Sequence, residues 1–289
     1  MTLRYAVVGH PCKDVAPEQP QGYIWGGGVV YSGLMVAQLG VNVEVTTACE
    51  PNDELEALHP NMRWSIYPDD KTTSFENRYD PVTDKRTQWM PARASDIPES
   101  HLRTISKDAD IIHLAPMESE FDASYFATLD HPWIVATTQG WMRTANAEGL
   151  VHHIPWKNAD QILPNLRTVV FSQEDVKYDM DVARRYAAAG PVVLYTKGLD
   201  GSILFYEGKE IRIGSAPANV VDLTGAGDVI AATFFVYFRE TGDPIEAAIH
   251  GAVASAMAIE HPGATGLPSR AELEARLATI PRDILLPRH

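Results

Sequence analysis

Ten residues, Val229-Ile-Ala-Ala-Thr-Phe-Phe-Val-Tyr-Phe238, form an almost wholly apolar run. A helix of this kind has no face to offer water and is expected to be buried. Directly before it stands Asn219-Val-Val-Asp-Leu-Thr-Gly-Ala-Gly-Asp228. An apolar approach ending near Val221, a turn with Gly225 and Gly227, and the apolar run predict a strand, a tight loop and a buried helix in succession. The loop then lies at a helix N-terminus, where the first amides lack intrahelical partners and the helix dipole is positive, so an anion is favoured. Two glycines let that backbone approach a ligand closely. Asp228 at such a mouth is either an N-cap or a carboxylate placed to take a proton from a nucleophile.

The chain of 289 residues, 45% hydrophobic, is long enough for one large core, or a core with a small accessory domain. Its net charge of −14 gives nucleic acid or an anionic membrane no general attraction. An anionic substrate must therefore be met locally, by Lys, Arg, backbone amides or Mg²⁺. Cys12 and Cys49 are too few for a disulfide framework and lack metal-ligand spacing. The first apolar run is too short for a signal segment or membrane span, which predicts a cytoplasmic protein.

Tyr5-Ala-Val-Val-Gly9 reads as a buried first strand, with Asp14 beyond its carboxyl end, where ligands of open α/β sheets gather. Asp14 is a candidate acceptor for substrate hydroxyls or a solvated turn residue; His10 has a weaker claim on the same pocket. Gly26 and Gly27 open an apolar segment ending at Gly40, predicting a helix whose N-terminal glycines suit either a ligand or a packing turn. From 62 to 97 the texture changes to short β-branched and aromatic segments separated by turns at 68–70 and 80–84. This predicts a small antiparallel sheet inserted in the larger domain: residues 11–24 and 62–94 as the insert, and 1–10, 25–61 and 95–289 as the core. Arg78, Arg86 and Arg93 either reach a substrate anion or lie on a solvated face, and one face of the insert is a candidate homodimer surface. Strands at 110–114, 133–137, 168–171, 192–196 and 202–206, with helical stretches between most of them, predict a doubly wound α/β sheet. Thr196-Lys-Gly-Leu-Asp-Gly201 ends one strand, as a hairpin turn or a phosphate-contacting loop. Ser172-Gln-Glu-Asp175 ends another, as a helix N-cap or a site organising a cation. Neither a Walker A string nor a Gly-x-Gly-x-x-Gly after the first strand is present, which disfavours a P-loop enzyme and a Rossmann dehydrogenase.

Asp222-Leu-Thr-Gly-Ala-Gly-Asp228 resembles the C-terminal signature of the ribokinase-like (PfkB) carbohydrate kinases, Asp-Thr-x-Gly-Ala-Gly-Asp, with Leu223-Thr224 in place of Thr-x. The resemblance implies a ribokinase-like α/β fold: a doubly wound, mostly parallel sheet flanked by helices, with a small antiparallel β lid. It also implies phosphoryl transfer from ATP, with Mg²⁺, to a hydroxyl of a sugar, nucleoside or inositol. In that family the Gly-Ala-Gly amides stabilise the transferring group and the final Asp is the base, roles that fall on Gly225, Ala226, Gly227 and Asp228. By the same resemblance Asp14, Gly26, Gly27, Tyr31, Gln139 and Arg143 face the substrate. Thr196, Lys197, Gly198, Gly201, Thr224, His261, Gly263 and Ala264 face the nucleotide, and Asp175 reaches the metal through water. Tyr31 stands where the family carries Asn, which argues against a plain ribokinase and offers a ring to stack on a cyclic ligand. The departures at Tyr31, Thr137 and Ser172–Asp175 also fit a catalytically weak relative acting as a sensor or partner protein.

Overall fold

The computed structural model describes residues 3–79 and 86–287. Its strands are β1 (Arg4–Val8), β2 (Cys12–Val15), β3 (Tyr23–Gly26), β4 (Asn42–Cys49), β5 (Met62–Pro68), β6 (Ser74–Tyr79), β7 (Arg86–Ala92), β8 (Ile111–Leu114), β9 (Ile134–Thr137), β10 (Arg143–Ala145), β11 (Val151–His153), β12 (Thr168–Ser172), β13 (Val192–Thr196), β14 (Ser202–Tyr206) and β15 (Lys209–Ile213). Nine of them form one sheet in the order β15-β14-β13-β12-β9-β8-β1-β4-β5. It is parallel from β13 to β5, and β14 and β15 turn back antiparallel at the far edge. Parallel strands covered on both faces read as continuous apolar runs, which is why β1, β8 and β12 were legible by their Val and Ile content. Helix Ala226–Thr241 lies on one face, ten consecutive side chains from Val229 to Phe238 buried, with helices Gly28–Gln38 and Pro244–Ala258 beside it. Gly251 lets two of these helices close up: a Cβ there would stand 2.8 Å from the Ile230 carbonyl oxygen. A second apolar cluster, built around Phe126, Leu163 and Phe171, fills the opposite face. Among the described residues no helix is long and apolar enough to cross a membrane.

The small sheet, in the order β3-β2-β6-β7, is two antiparallel hairpins joined by the parallel pair β2–β6. It is smaller than the sequence predicts. Residues 62–68 pair in parallel with β4 from Val43–Met62 to Cys49–Pro68, so β5 belongs to the large sheet. An edge strand covered on one side has the short, half-apolar texture of a lid strand, hence the misreading. The turn expected at 80–84 and the Arg86 side chain lie outside the described residues. The strand expected before Gly225 is absent too: Val220 and Val221 are exposed, and the Val221 and Asp222 amides donate to the Ile259 carbonyl at 2.8 and 3.2 Å. The backbone here is satisfied by a helix C-terminus instead of a sheet ladder.

Candidate active site

Helix Ala226–Thr241 begins at Gly225, whose φ of 77° is a left-handed conformation suited to glycine. This turn points the first helical residues at the carboxyl ends of β1 and β8. Asp228 is the third residue of the helix and makes no cap bond. Its Oδ1 would lie 3.2 Å from a Cβ on Gly28, so the N-termini of two helices meet across this carboxylate. Burial pushes the Asp228 carboxyl up to about 6, with Arg143 opposing the shift and Asp175 adding to it. A carboxylate of that strength is matched to proton abstraction near neutral pH.

Asp14 enters from the inner face of the small sheet. Gly26 leaves room for this carboxylate: a Cβ there would stand 2.1 Å from Asp14 Oδ2 and would push the side chain aside. Burial lifts Asp14 to about 7 against the pull of Arg143, with Asp222 and Asp228 raising it further. Arg143, 7% exposed, supplies the positive charge. Its Nε donates to the Met117 carbonyl at 2.7 Å, its Nη1 donates to Gln88 Oε1 at 3.1 Å, and its guanidinium lies 4.6 Å from the centre of the Phe75 ring. These partners are neutral, so the cation is left to act on the carboxylates of Asp175, Glu120 and Asp228 and on whatever anion enters. Burial lowers its pKa from the usual value.

The loops expected to face a nucleotide are held as follows. Asp222 accepts from the Thr224 amide and the Gly263 amide, each at 2.9 Å, and so pins the glycine loop to the turn at Gly263–Gly266. The Ala226 amide is engaged by the Leu223 carbonyl at 3.3 Å. Thr196 ends β13 and Lys197 follows it; the Thr196 carbonyl accepts from the Gln173 amide and the Lys197 amide donates to the Gly201 carbonyl. Gly201 is a hairpin glycine, since a Cβ would lie 2.2 Å from the Ile213 carbonyl oxygen, whereas Gly198 faces open space.

A sequence model of pfkB family carbohydrate kinases matches residues 85–270, well over half of the chain. The chain belongs to the PfkB family of carbohydrate kinases. An inositol 3-kinase of Zea mays is 31% identical over 104 residues, which span 35% of this chain and 26% of that protein. A pyrophosphate-dependent kinase of the ribokinase family, solved with sulfate, superposes with a TM-score of 0.81 at 24% identity, covering 94% of this chain and 99% of its own. A pyrophosphate-dependent kinase of the same family, complexed with a pyrophosphate analogue and myo-inositol, gives 0.79 at 24% identity, covering 94% and 99%. The ribokinase-like fold expected from the glycine signature is thus established.

Several residues of this PfkB chain sit otherwise than expected. The Tyr31 ring is 2% exposed and packed against Gly225, so the glycine loop fills the face proposed to stack on a ligand. Ser172–Asp175 opens a turn, not a helix: Asp175 accepts from the Ser172 amide and hydroxyl at 2.7 and 2.9 Å and from Gln139 Nε2 at 3.2 Å. Positive φ at Lys177 and Tyr178 delays the helix to Met180. Arg78 pairs with Glu76 on the outer lid face, and Arg93 pairs with Asp96 and Glu118, so neither reaches the centre. His10 is buried at the base of the lid and His261 is exposed. Met117, Phe75 and Gln88, which hold Arg143, carry no sequence signal beyond their strands. Met117, three residues beyond β8, is open to the same strand-end reasoning that singles out Asp14.

The two raised carboxyls have a stability consequence. Between pH 4 and 7 the folded protein holds protons on Asp14 and Asp228 that the unfolded chain has released, so stability falls as pH rises through that window. Asp228→Asn and Asp14→Asn are expected to melt above wild type at pH 8 and to converge toward it near pH 4. Thermal unfolding across that range checks this, and variants melting below wild type at pH 8 would refute it.

Proposed function

We propose that the protein transfers a phosphoryl group to a hydroxyl of a cyclic polyol of the inositol class, with Asp228 as base. The observation that carries this reading is the Asp228 carboxyl at the start of a buried helix, lifted to about 6 with the charge of the buried Arg143 acting on it. An alcohol is a poor nucleophile. Asp228 takes its proton as it attacks, while the amides of Gly225 and Gly227, that of Ala226 once it leaves its 3.3 Å bond to the Leu223 carbonyl, and the Arg143 guanidinium meet the charge gathering on the phosphoryl oxygens. Asp14 accepts from a second hydroxyl and orients the ring, and the small sheet excludes water. ATP is the donor, seated along Lys197, Thr224 and Gly263. Among the described residues no cluster of three His, Cys, Asp or Glu forms a metal cage. The carboxylate oxygens of Asp175 and Asp228 still suit a hard cation, so Mg²⁺ arriving with the donor would be held through water and would screen the phosphate charge.

The inositol class is favoured by the maize relative and by the myo-inositol of the similar kinase. Purified protein should release ADP from Mg²⁺-ATP, or phosphate from pyrophosphate, when given inositols, with sugars and nucleosides in parallel. Turnover with inositols above the other acceptors is the expected result. Donor binding without turnover on any acceptor would replace this reading with a sensor protein.

A further inference from the structure

Glu120 is fully buried and belongs to none of the groups placed in the reaction above. Its Oε1 accepts from the His10 amide and its Oε2 from the Glu118 amide, while the Met117 amide donates to both oxygens, all at 2.8 Å. Its own carbonyl accepts from Ile97 at 2.7 Å. A carboxylate held by three converging amides is a rigid node, because charge-assisted bonds are short and directional.

Four pieces of chain meet at this node. His10 lies two residues beyond β1, and its imidazole spans the two stalks of the lid. Nε2 faces the Ser95 carbonyl at 3.1 Å and must donate, so Nδ1 accepts from the Thr73 hydroxyl at 2.9 Å. Thr73 Oγ1 in turn accepts from the Ala94 amide at 3.0 Å, closing a bridge between the outgoing and returning stalks. Glu118 accepts from Arg93 and from Thr144, each at 2.6 Å, and Met117 offers its carbonyl to Arg143. The lid stalks and the strand bearing the buried guanidinium are therefore fastened to Glu120 and to the three residues whose amides hold its carboxylate.

We infer that Glu120 is a positioning residue that sets the Arg143 guanidinium and the lid in one geometry around the substrate. The guanidinium rests on neutral partners, so its direction depends on where the Met117 carbonyl points, and Glu120 fixes that peptide. In Glu120→Gln the amide NH₂ would face N–H donors and the node would open.

This inference rests on the phosphotransfer reading, and a double-mutant cycle tests it in that setting. With wild type, Glu120→Gln, Arg143→Lys and the double variant compared per folded molecule, Glu120→Gln is expected to lower kcat/KM for the acceptor by about 10²-fold. It should also raise the fraction of donor hydrolysed without acceptor, and both effects should largely vanish in the Arg143→Lys background. Additive losses would overturn the inference. If Glu120→Gln does not fold, Thr73→Val cuts the same assembly at the His10 bridge and is expected to give a smaller loss with the same non-additivity. Amide hydrogen exchange decides the coupling without any substrate. Exchange should quicken together at Lys13 and Ala94, which donate to Thr73, at Ile97, which donates to Glu120, and at Ile154, which donates to the Met142 carbonyl beside Arg143, and stay unchanged in helix Ala226–Thr241. Faster exchange at Met117 and Glu118 alone, or throughout the chain, would refute the coupling, whereas an inactive wild type would sink the phosphotransfer reading and leave the exchange result standing.

Discussion

Replacing Asp228 by Asn is expected to lower kcat by about 10²–10⁴-fold while leaving the fold intact and the acceptor KM little changed. Asn keeps the size of the side chain and removes only its basicity. Two carboxyls compete for the role of base, since burial lifts Asp14 to about 7 and Asp228 to about 6. Position separates them. Asp228 stands on the helix that begins at Gly225, beside the amides that would hold the phosphoryl oxygens, and its neighbour across the gap is Gly28. Asp14 stands on strand β2 of the small sheet, paired with β3 and β6, where the proposed role is to grip a ring hydroxyl away from the transferring group. Asp14→Asn is therefore expected to act mainly through KM. The wild-type rate should also fall as pH drops below about 6, when Asp228 takes up its proton, and Asp228→Asn should lose that dependence. Steady-state kinetics on both variants from pH 5 to 8 provides the check. Undiminished turnover in Asp228→Asn, or a kcat effect confined to Asp14→Asn, would transfer the base to Asp14.

Local chemistry made the centre of this protein legible in the sequence, and long-range pairing concealed the rest. The ten apolar residues from Val229 to Phe238 identify a buried helix, and the left-handed Gly225 before them marks its start. Strand-end reasoning placed Asp14 at the mouth of β1, because the carboxyl end of a parallel strand is where side chains are free to converge. The strand assigned before Gly225 failed because alternation and apolar content do not say which partner satisfies the backbone; here it is Ile259, at a helix terminus. For the same reason β5 resembled a lid strand. The position of Tyr31 in a signature points to the ligand, but a tyrosine opposite a glycine is as well placed to fill the space that the glycine leaves. Glu120 was invisible because amides held it in place, and no spacing rule marks a residue whose partners are all backbone.

Gly225→Ala is the second change expected to have a large effect, and it tests the glycine loop apart from the base. A Cβ at this position would stand 2.2, 2.4 and 2.5 Å from Cδ1, Cγ and Cε1 of Tyr31, well inside contact distance. The ring has little room to withdraw, being 2% exposed on the first turn of helix Gly28–Gln38. The φ of 77° adds a left-handed cost of roughly 1–2 kcal/mol for any residue with a Cβ. The loop must therefore shift, carrying the Gly225–Gly227 amides off the developing charge, a loss expected to cost about 10²–10³-fold in kcat. Asp228 itself is untouched, so its pH dependence should persist at the lower rate. Because two causes contribute, the variant is best read against Tyr31→Ala. Without the ring only the backbone cost remains, and Gly225→Ala should then lose less activity and less thermal stability than it does with Tyr31 in place. Equal losses in both backgrounds would show that the ring does not fix the loop, and activity undiminished in Gly225→Ala would remove these amides from the transfer step altogether.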